Sequence, residues 1–276
     1  MTDSIIIMAA GASSRMKKPI NNSKLSNAQI EAANSKSKVL IEFGREKKPF
    51  ISYLISNIIQ AGFKKIYIVT SEKADFFRNN FKIESKEVII NFSIQYISKA
   101  RVKPLGTADA VLQTLDQFPL LKSISFCVCN GDNLYSAQSL FKIRKSKAIN
   151  AFIAYDRDGL NFSKDRISSF AIAKMDNNNF LIDIIEKPEL EIINKSLDKA
   201  GKIRVSMNLF KFNGNQSFKF FKNCPINDSR NEKEIPDVLK NMISEDSKSV
   251  LGIPISDSVL DLTSKTDILE LEKHLK

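Results

Sequence analysis

Residues 8–16 read Met-Ala-Ala-Gly-Ala-Ser-Ser-Arg-Met. Small side chains at the end of a strand let the backbone come close to a phosphate and aim its N–H groups at it. Arg15 adds a fixed charge that can grip two phosphate oxygens at once. An ordinary tight turn would use the same residue types, so the loop alone leaves both readings open. It is not a dinucleotide fingerprint, because Ser13 and Ser14 stand where further glycines would be needed, and no Gly-Lys-Ser/Thr follows as in a Walker loop. Imidazole chemistry is poorly supplied: the single histidine, His274, lies in a polar terminal stretch. Whatever reaction occurs must run without histidine as the general base. Cys127 and Cys129 flank Val128 and share one face of a strand. Two thiols and a distant histidine do not make a zinc site, so these cysteines read as small buried residues.

The elements that must position these residues alternate in type. Apolar, β-rich runs occur at 4–10, 64–71, 93–98, 124–132 and 150–158. Between them, 49–62, 107–118 and 136–147 carry helical periodicity. Phe50, Leu54, Ile55, Ile58 and Ile59 make one apolar stripe between Pro49 and Gly62. This rhythm predicts a Rossmann-like three-layer α/β/α fold with a mainly parallel central sheet. After residue 158 the pattern changes to strands around an Asn-rich turn at 168–188, a strand at 202–214, and strand-like "SVLGIPIS" and "SVLDL". That predicts an antiparallel elaboration in the second half. A helix is expected at 235–243 and another at 264–275. No Gly/Pro/Ser-rich linker divides the chain, so one domain over 1–276 is expected. Residues 17–37 are polar, rich in Asn, Ser and Lys, and do not promise burial; they read as a surface insertion or a lid over an anionic ligand.

Bulk properties narrow the class. The 276 residues are 43% hydrophobic and 26% charged, as in a globular protein. No apolar run approaches the roughly 20 residues that span a bilayer, and no signal peptide is legible, so a cytoplasmic protein with no membrane partner is expected. The net charge of +11 is spread along the chain without an aromatic-rich basic motif. It fits a solvated surface or an anionic small molecule better than a nucleic acid.

Five stretches in order resemble the nucleotidyltransferases, the family that includes sugar-1-phosphate nucleotidylyltransferases with a GT-A-like α/β fold. They are "MAAGASSRM" followed by Lys38 in "SKVLIEFG", then "KPLGTADAV" (103–111), "VCNGDNLYS" (128–136), "IIEKP" (184–188) and "SVLDLTSKTDILEL" (258–271). The resemblance implies that a sugar phosphate oxygen attacks the α-phosphorus of a nucleoside triphosphate and that pyrophosphate leaves. Both partners are anionic, so the task is neutralisation and alignment. It further implies that Arg15 and Lys38 hold the triphosphate, with Ala9, Ala10, Gly11, Gly106 and Thr107 around the nucleotide. Asp132 and Asp261 would bind Mg²⁺. Lys187 would bind the sugar phosphate, with Glu186 and Asn208 on the sugar and residues 159–276 forming the sugar-phosphate half. Ser13 stands where sugar nucleotidylyltransferases usually have Gly, a form nearer the molybdopterin-nucleotide branch. Transfer to another acceptor, such as phosphocholine or a pterin phosphate, therefore stays open. So does a non-catalytic nucleotide- or sugar-phosphate-binding paralogue. A glycosyltransferase is a weaker reading, for which Asp156 and Asp158 have the D-x-D spacing. Base, acceptor and oligomeric state are not legible.

Overall fold

The structure is a computed structural model that describes residues 1–20, 24–81, 87–162, 164–168, 170–186 and 188–275. Along the chain the strands are β1 (Ser4–Met8), β2 (Glu42–Phe43), β3 (Lys48–Pro49), β4 (Lys65–Ser71), β5 (Ile89–Gln95), β6 (Ser125–Asn130), β7 (Asn133–Leu134), β8 (Asn150–Asp156), β9 (Ile172–Met175), β10 (Leu181–Ile185), β11 (Arg204–Asn213), β12 (Val250–Ile255) and β13 (Leu260–Asp261). The helices are α1 (Asn27–Ser35), α2 (Phe50–Gln60), α3 (Asp75–Asn80), α4 (Thr107–Gln117), α5 (Ala137–Lys145), α6 (Lys164–Ser168), α7 (Leu190–Asn194), α8 (Gly214–Lys222), α9 (Ile235–Glu245) and α10 (Lys265–His274).

The main sheet runs in the order β10-β9-β11-β6-β1-β4-β5, with β8 also paired to β11 and β12 paired to β8. The run β6-β1-β4-β5 is parallel, and β8–β12 is parallel as well. Alternation along β1 explains the three layers. Ile5 and Ile7 point into a core shared with Leu54 and Ile58 of α2 and Leu140 and Ile143 of α5. Ile6 points the other way, toward Val111 and Leu115 of α4, Phe221 of α8 and Val238 of α9. Cys127 and Cys129 lie fully buried on the first face and Val128 on the second. This is the expected α/β/α fold, with β9, β10 and β11 supplying the antiparallel part.

Because β6, β1, β4 and β5 are parallel and in register, their C-terminal residues Asn130, Met8, Ser71 and Gln95 form one rim. Loops leaving that rim are where ligands bind in open α/β sheets. The second half of the chain joins the same rim by an irregularity. Asn208 has a left-handed φ of 58°, and the pairing of β11 with β8 shifts register between Ser206 and Phe210. Here β11 passes from β9 to β6, and the shift brings residues 206–208 to the rim beside Asn130.

Two local expectations are revised. The apolar run "VLIEF" after Lys38 reads as strand-like from its composition but is not a full strand: residues 38–40 form a 3₁₀ turn, and the two-residue β2 follows. The polar stretch 17–37 holds a helix, α1, closed by a capping box between Ser26 and Gln29. Its few apolar residues are placed to bury. Leu25 and Ala33 pack with Met16, Ile41 and Phe43 against Ile268 and Leu271 of α10. Average composition hides such spacing. Residues 21–23 of this stretch lie outside the described residues.

Candidate functional site

Two cavities open along the rim. The first, about 320 Å³, is lined by Ala9, Ala10, Gly11, Lys38, Gly106, Thr107 and Asp132, together with Gln95, Lys103 and Glu232. The second, about 240 Å³, is lined by Arg15, Asp132, Glu186, Asn208 and Asp261, together with Arg166 and Arg230. Asn130 and Asp132 belong to both linings. Of the residues singled out from sequence, Ala9, Ala10, Gly11, Lys38, Gly106 and Thr107 gather in the first cavity. Glu186, Asn208 and Asp261 gather in the second, Arg15 falls in the second rather than beside Lys38, and Asp132 is the wall between. Lys187 lies outside the described residues.

The first cavity is shaped by backbone. The β1 loop leaves the sheet through Ala9 N–H donating to Val69 O (3.0 Å), and Gly131 N–H donates to Met8 O (2.9 Å), tying the two strand ends together. Ser13 takes a left-handed φ of 54°, a conformation glycine adopts freely. Its hydroxyl accepts from Lys38 N–H at 3.2 Å, which positions the lysine at the cavity mouth. Gly106 is required twice over. Its φ is 117°, and a Cβ there would sit 2.3 Å from Lys233 O. The 103–108 loop docks on the 232–235 segment through Lys233 N–H to Leu105 O (2.6 Å), Ala108 N–H to Lys233 O (2.9 Å) and Lys103 Nζ to Glu232 (2.8 Å). Gln95 braces the loop from below, donating to Gly106 O and to Asp109, both at 2.9 Å.

The second cavity is shaped by ion pairs. β13 reaches the rim by pairing with β7, Asp261 opposite Asn133, while Leu262 N–H donates to Asp132 O (2.8 Å). That brings the two aspartates, 129 positions apart by their numbers (261 − 132), into one charge cluster. Lys38 Nζ bonds the Asp132 carboxylate. Arg166 bonds Asp261 through one nitrogen and Asp267 through another (2.6 Å), and Thr263 Oγ1 donates to Asp261 at 2.7 Å. Burial first, and then the neighbouring Asp132, push the Asp261 carboxyl up to about 6 against the pull of Arg166. Arg230 bridges Glu186 (2.7 Å) and Glu234 (2.8 Å).

Among the described residues no group of three or more His, Cys, Asp or Glu could hold a metal. The donor set fits Mg²⁺ nonetheless. That ion takes oxygen ligands and usually one or two carboxylates, the rest coming from substrate phosphates and water. Asp132 and Asp261 are such a pair, and their mutual repulsion is what a dication would relieve. Asp156, the first residue of the D-x-D spacing, faces elsewhere: it is buried and engaged with Ser256 and Lys202, both at 3.2 Å. Sequence reasoning missed Arg166, Arg230, Gln95, Lys103 and Glu232. Their partners lie up to 129 positions away, and no local pattern marks them.

With this geometry in hand, comparison with known proteins is direct. The family model described as Nucleotidyl transferase matches residues 5–272. The Bifunctional protein GlmU of Methanococcus maripaludis is 27% identical over 231 residues, covering 82% of this chain and 47% of its own length. The glucose-1-phosphate adenylyltransferase of Koribacter versatilis is 24% identical over 185 residues, covering 64% of this chain and 43% of its own. The chain thus spans about half the length of these relatives. A solved structure of UDP-glucose pyrophosphorylase complexed with UDP-glucose superimposes with a TM-score of 0.71 over 99% of this chain and 98% of that one, at 15% identity, which speaks for the fold. Among the described residues no helix is long and apolar enough to cross a membrane.

Proposed function

The chain belongs to the nucleotidyl transferase family, and on that premise we propose that it joins a nucleoside triphosphate to a sugar-1-phosphate, giving a nucleotide sugar and pyrophosphate. The single observation that carries this reading is the shared wall of the two cavities, Asn130 and Asp132. A transfer between two anions needs both phosphates against one neutralising centre. Asp132, the carboxylate that would hold a neutralising cation, borders both spaces. The names of the relatives support a hexose-1-phosphate as acceptor.

In this reading the nucleotide lies in the first cavity. Its sugar and phosphates run along the small residues Ala9–Gly11, and its base sits toward Gly106 and Thr107. Residues 159–276 form the acceptor half, since Glu186, Asn208, Arg230 and Asp261 all line the second cavity. Of the segment 17–37, Ser37 lines the first cavity beside Lys38. A phosphate oxygen of the acceptor attacks the α-phosphorus, the bond to the β-phosphate oxygen breaks, and the electron pair leaves with pyrophosphate. The attacking oxygen is already anionic at neutral pH, so no side chain must remove a proton. Lys38 and Arg15 counter the charge of the approaching phosphates from opposite cavities. Asp132 and Asp261 would hold Mg²⁺, which when bound supplies positive charge at the α-phosphate and the acceptor phosphate.

The test is pyrophosphate release from the common nucleoside triphosphates crossed with sugar-1-phosphates, phosphocholine and a pterin phosphate, with Mg²⁺ and with EDTA. The reading expects metal-dependent release with at least one sugar-1-phosphate. Release only with a non-sugar acceptor, or none with any pair, would overturn it.

A further inference from the structure

Asp132 and Asp261 stand at the seam of the two cavities, and each is already held by a cation of the chain itself. Lys38 holds Asp132. Arg166, on α6, holds Asp261 and is anchored in doing so. Its other nitrogen bonds Asp267 Oδ1 at 2.6 Å. The opposite oxygen of Asp267 caps the start of α10, accepting from Thr263 N–H (2.8 Å) and Ser264 N–H (2.7 Å). The guanidinium also lies over the Phe162 ring, 4.8 Å from its centroid. The Arg166 fork is thus fixed at one end on a locked carboxylate, with the other end aimed at Asp261. Thr263 occupies the remaining Asp261 oxygen at 2.7 Å.

We propose that Arg166 is a built-in counter-ion that competes with the divalent cation for Asp261, so that the free chain holds the metal weakly. This rests on the reading of Asp132 and Asp261 as metal ligands. The cluster counts three carboxylates (Asp132, Asp261, Asp267) against two side-chain cations (Lys38, Arg166). A dication entering beside Asp261 meets a guanidinium bonded to one of the oxygens it needs. It must either displace that charge-assisted bond or share the carboxylate at close range to a positive charge. Bound substrate phosphates bring negative charge to the cluster, the acceptor's in the second cavity that Arg166 lines. The geometry therefore favours uptake of metal with substrate over uptake before it. Arg166 touches no reacting atom in this account; it acts through Asp261 and is a positioning residue.

The experiment is a Mn²⁺ titration of the full chain without substrate, with free ion read by electron paramagnetic resonance. Arg166→Gln is expected to tighten Mn²⁺ on the order of tenfold, the size of one nearby charge removed. Arg166→Lys keeps the charge and is expected to stay within about twofold of the parent, which separates charge from packing. Arg166→Met fills the space over Phe162 and serves as the neutral variant should Arg166→Gln fail to fold. The gain should vanish when Asp261→Asn is added. Unchanged or weaker Mn²⁺ binding in the folded neutral variants, with binding still sensitive to Asp261→Asn, would overturn the counter-ion role alone. Binding that is indifferent to both Asp132→Asn and Asp261→Asn would overturn the metal-site reading, and the counter-ion role with it.

Discussion

The two cavities are built by different means. The first is a backbone device. Parallel strands end together, small residues follow, and glycine at position 106 lets one loop dock on another with 2.6–2.9 Å main-chain bonds. The second is a side-chain device. Arg166, Arg230, Asp261, Glu186 and Asp267 come from separate elements and compensate one another in pairs. Backbone walls discriminate by shape and tolerate changes of side chain. Ion-pair walls discriminate by charge and can be retuned one residue at a time.

The comparison is broken most completely at the residue both cavities share. Asp132→Asn should lower turnover on the order of a thousandfold while leaving the fold intact, since the amide keeps the shape and loses the charge. Steady-state kinetics beside a circular dichroism melt would check this. A variant with near-parental turnover would show that the shared wall is not the reacting centre.

The next effect separates the cavities by pH. The Asp261 carboxyl titrates near 6 in the free chain, so below that pH a metal must displace a proton. Mn²⁺ affinity should fall by up to about tenfold per pH unit below 6, and Asp261→Asn should flatten the profile. Stability of the free chain carries the same signature with its own sign. The folded pKa is raised above the usual carboxylate value. The contribution of the neutral carboxyl is therefore complete below about pH 4 and is lost as pH rises through about 6. Denaturant melts of the parent and Asp261→Asn across pH 4–7 would reveal it.

Gly106→Ala attacks the backbone wall. A left-handed φ of 117° and a Cβ 2.3 Å from Lys233 O should cost about 2 kcal/mol or more. Triphosphate KM should rise while acceptor KM changes little. Equal changes in both would mean that the two walls are not independent.

These backbone features were largely legible in the sequence. The isoleucine run of β1, the apolar stripe of α2 and the small residues after Met8 are local patterns with local causes, whereas Gly106 and Asp132 stood out only through the family resemblance; both line the first cavity with Ala9, Ala10 and Gly11. The ion-pair wall was legible only in part, through Glu186, Asn208 and Asp261, which the resemblance named. Arg166 stands 95 positions from Asp261, and nothing in its own neighbourhood distinguishes it from a surface arginine. Helix α1 was hidden for a related reason. Three or four apolar residues in a polar stretch matter only once α10 is there to receive them.

The smallest effect belongs to the hinge between loop and lysine. Ser13→Gly removes the cost of a left-handed φ of 54° and also the hydroxyl that holds Lys38 N–H. The two changes oppose each other, so stability should move by less than about 1 kcal/mol. The readout is a modest loss in turnover as Lys38 loosens, measured with saturating substrates.

On the proposed reading, Asp132 would hold, with Asp261, a cation that serves both the nucleotide and the acceptor phosphate. The most direct measurement is ³¹P relaxation with Mn²⁺ in the presence of a non-reactive α,β-methylene triphosphate and a sugar-1-phosphate. Both the α-phosphorus and the acceptor phosphorus should relax strongly, and Asp132→Asn should abolish both effects together. Relaxation of one phosphorus alone, or of both regardless of Asp132, would contradict the shared wall.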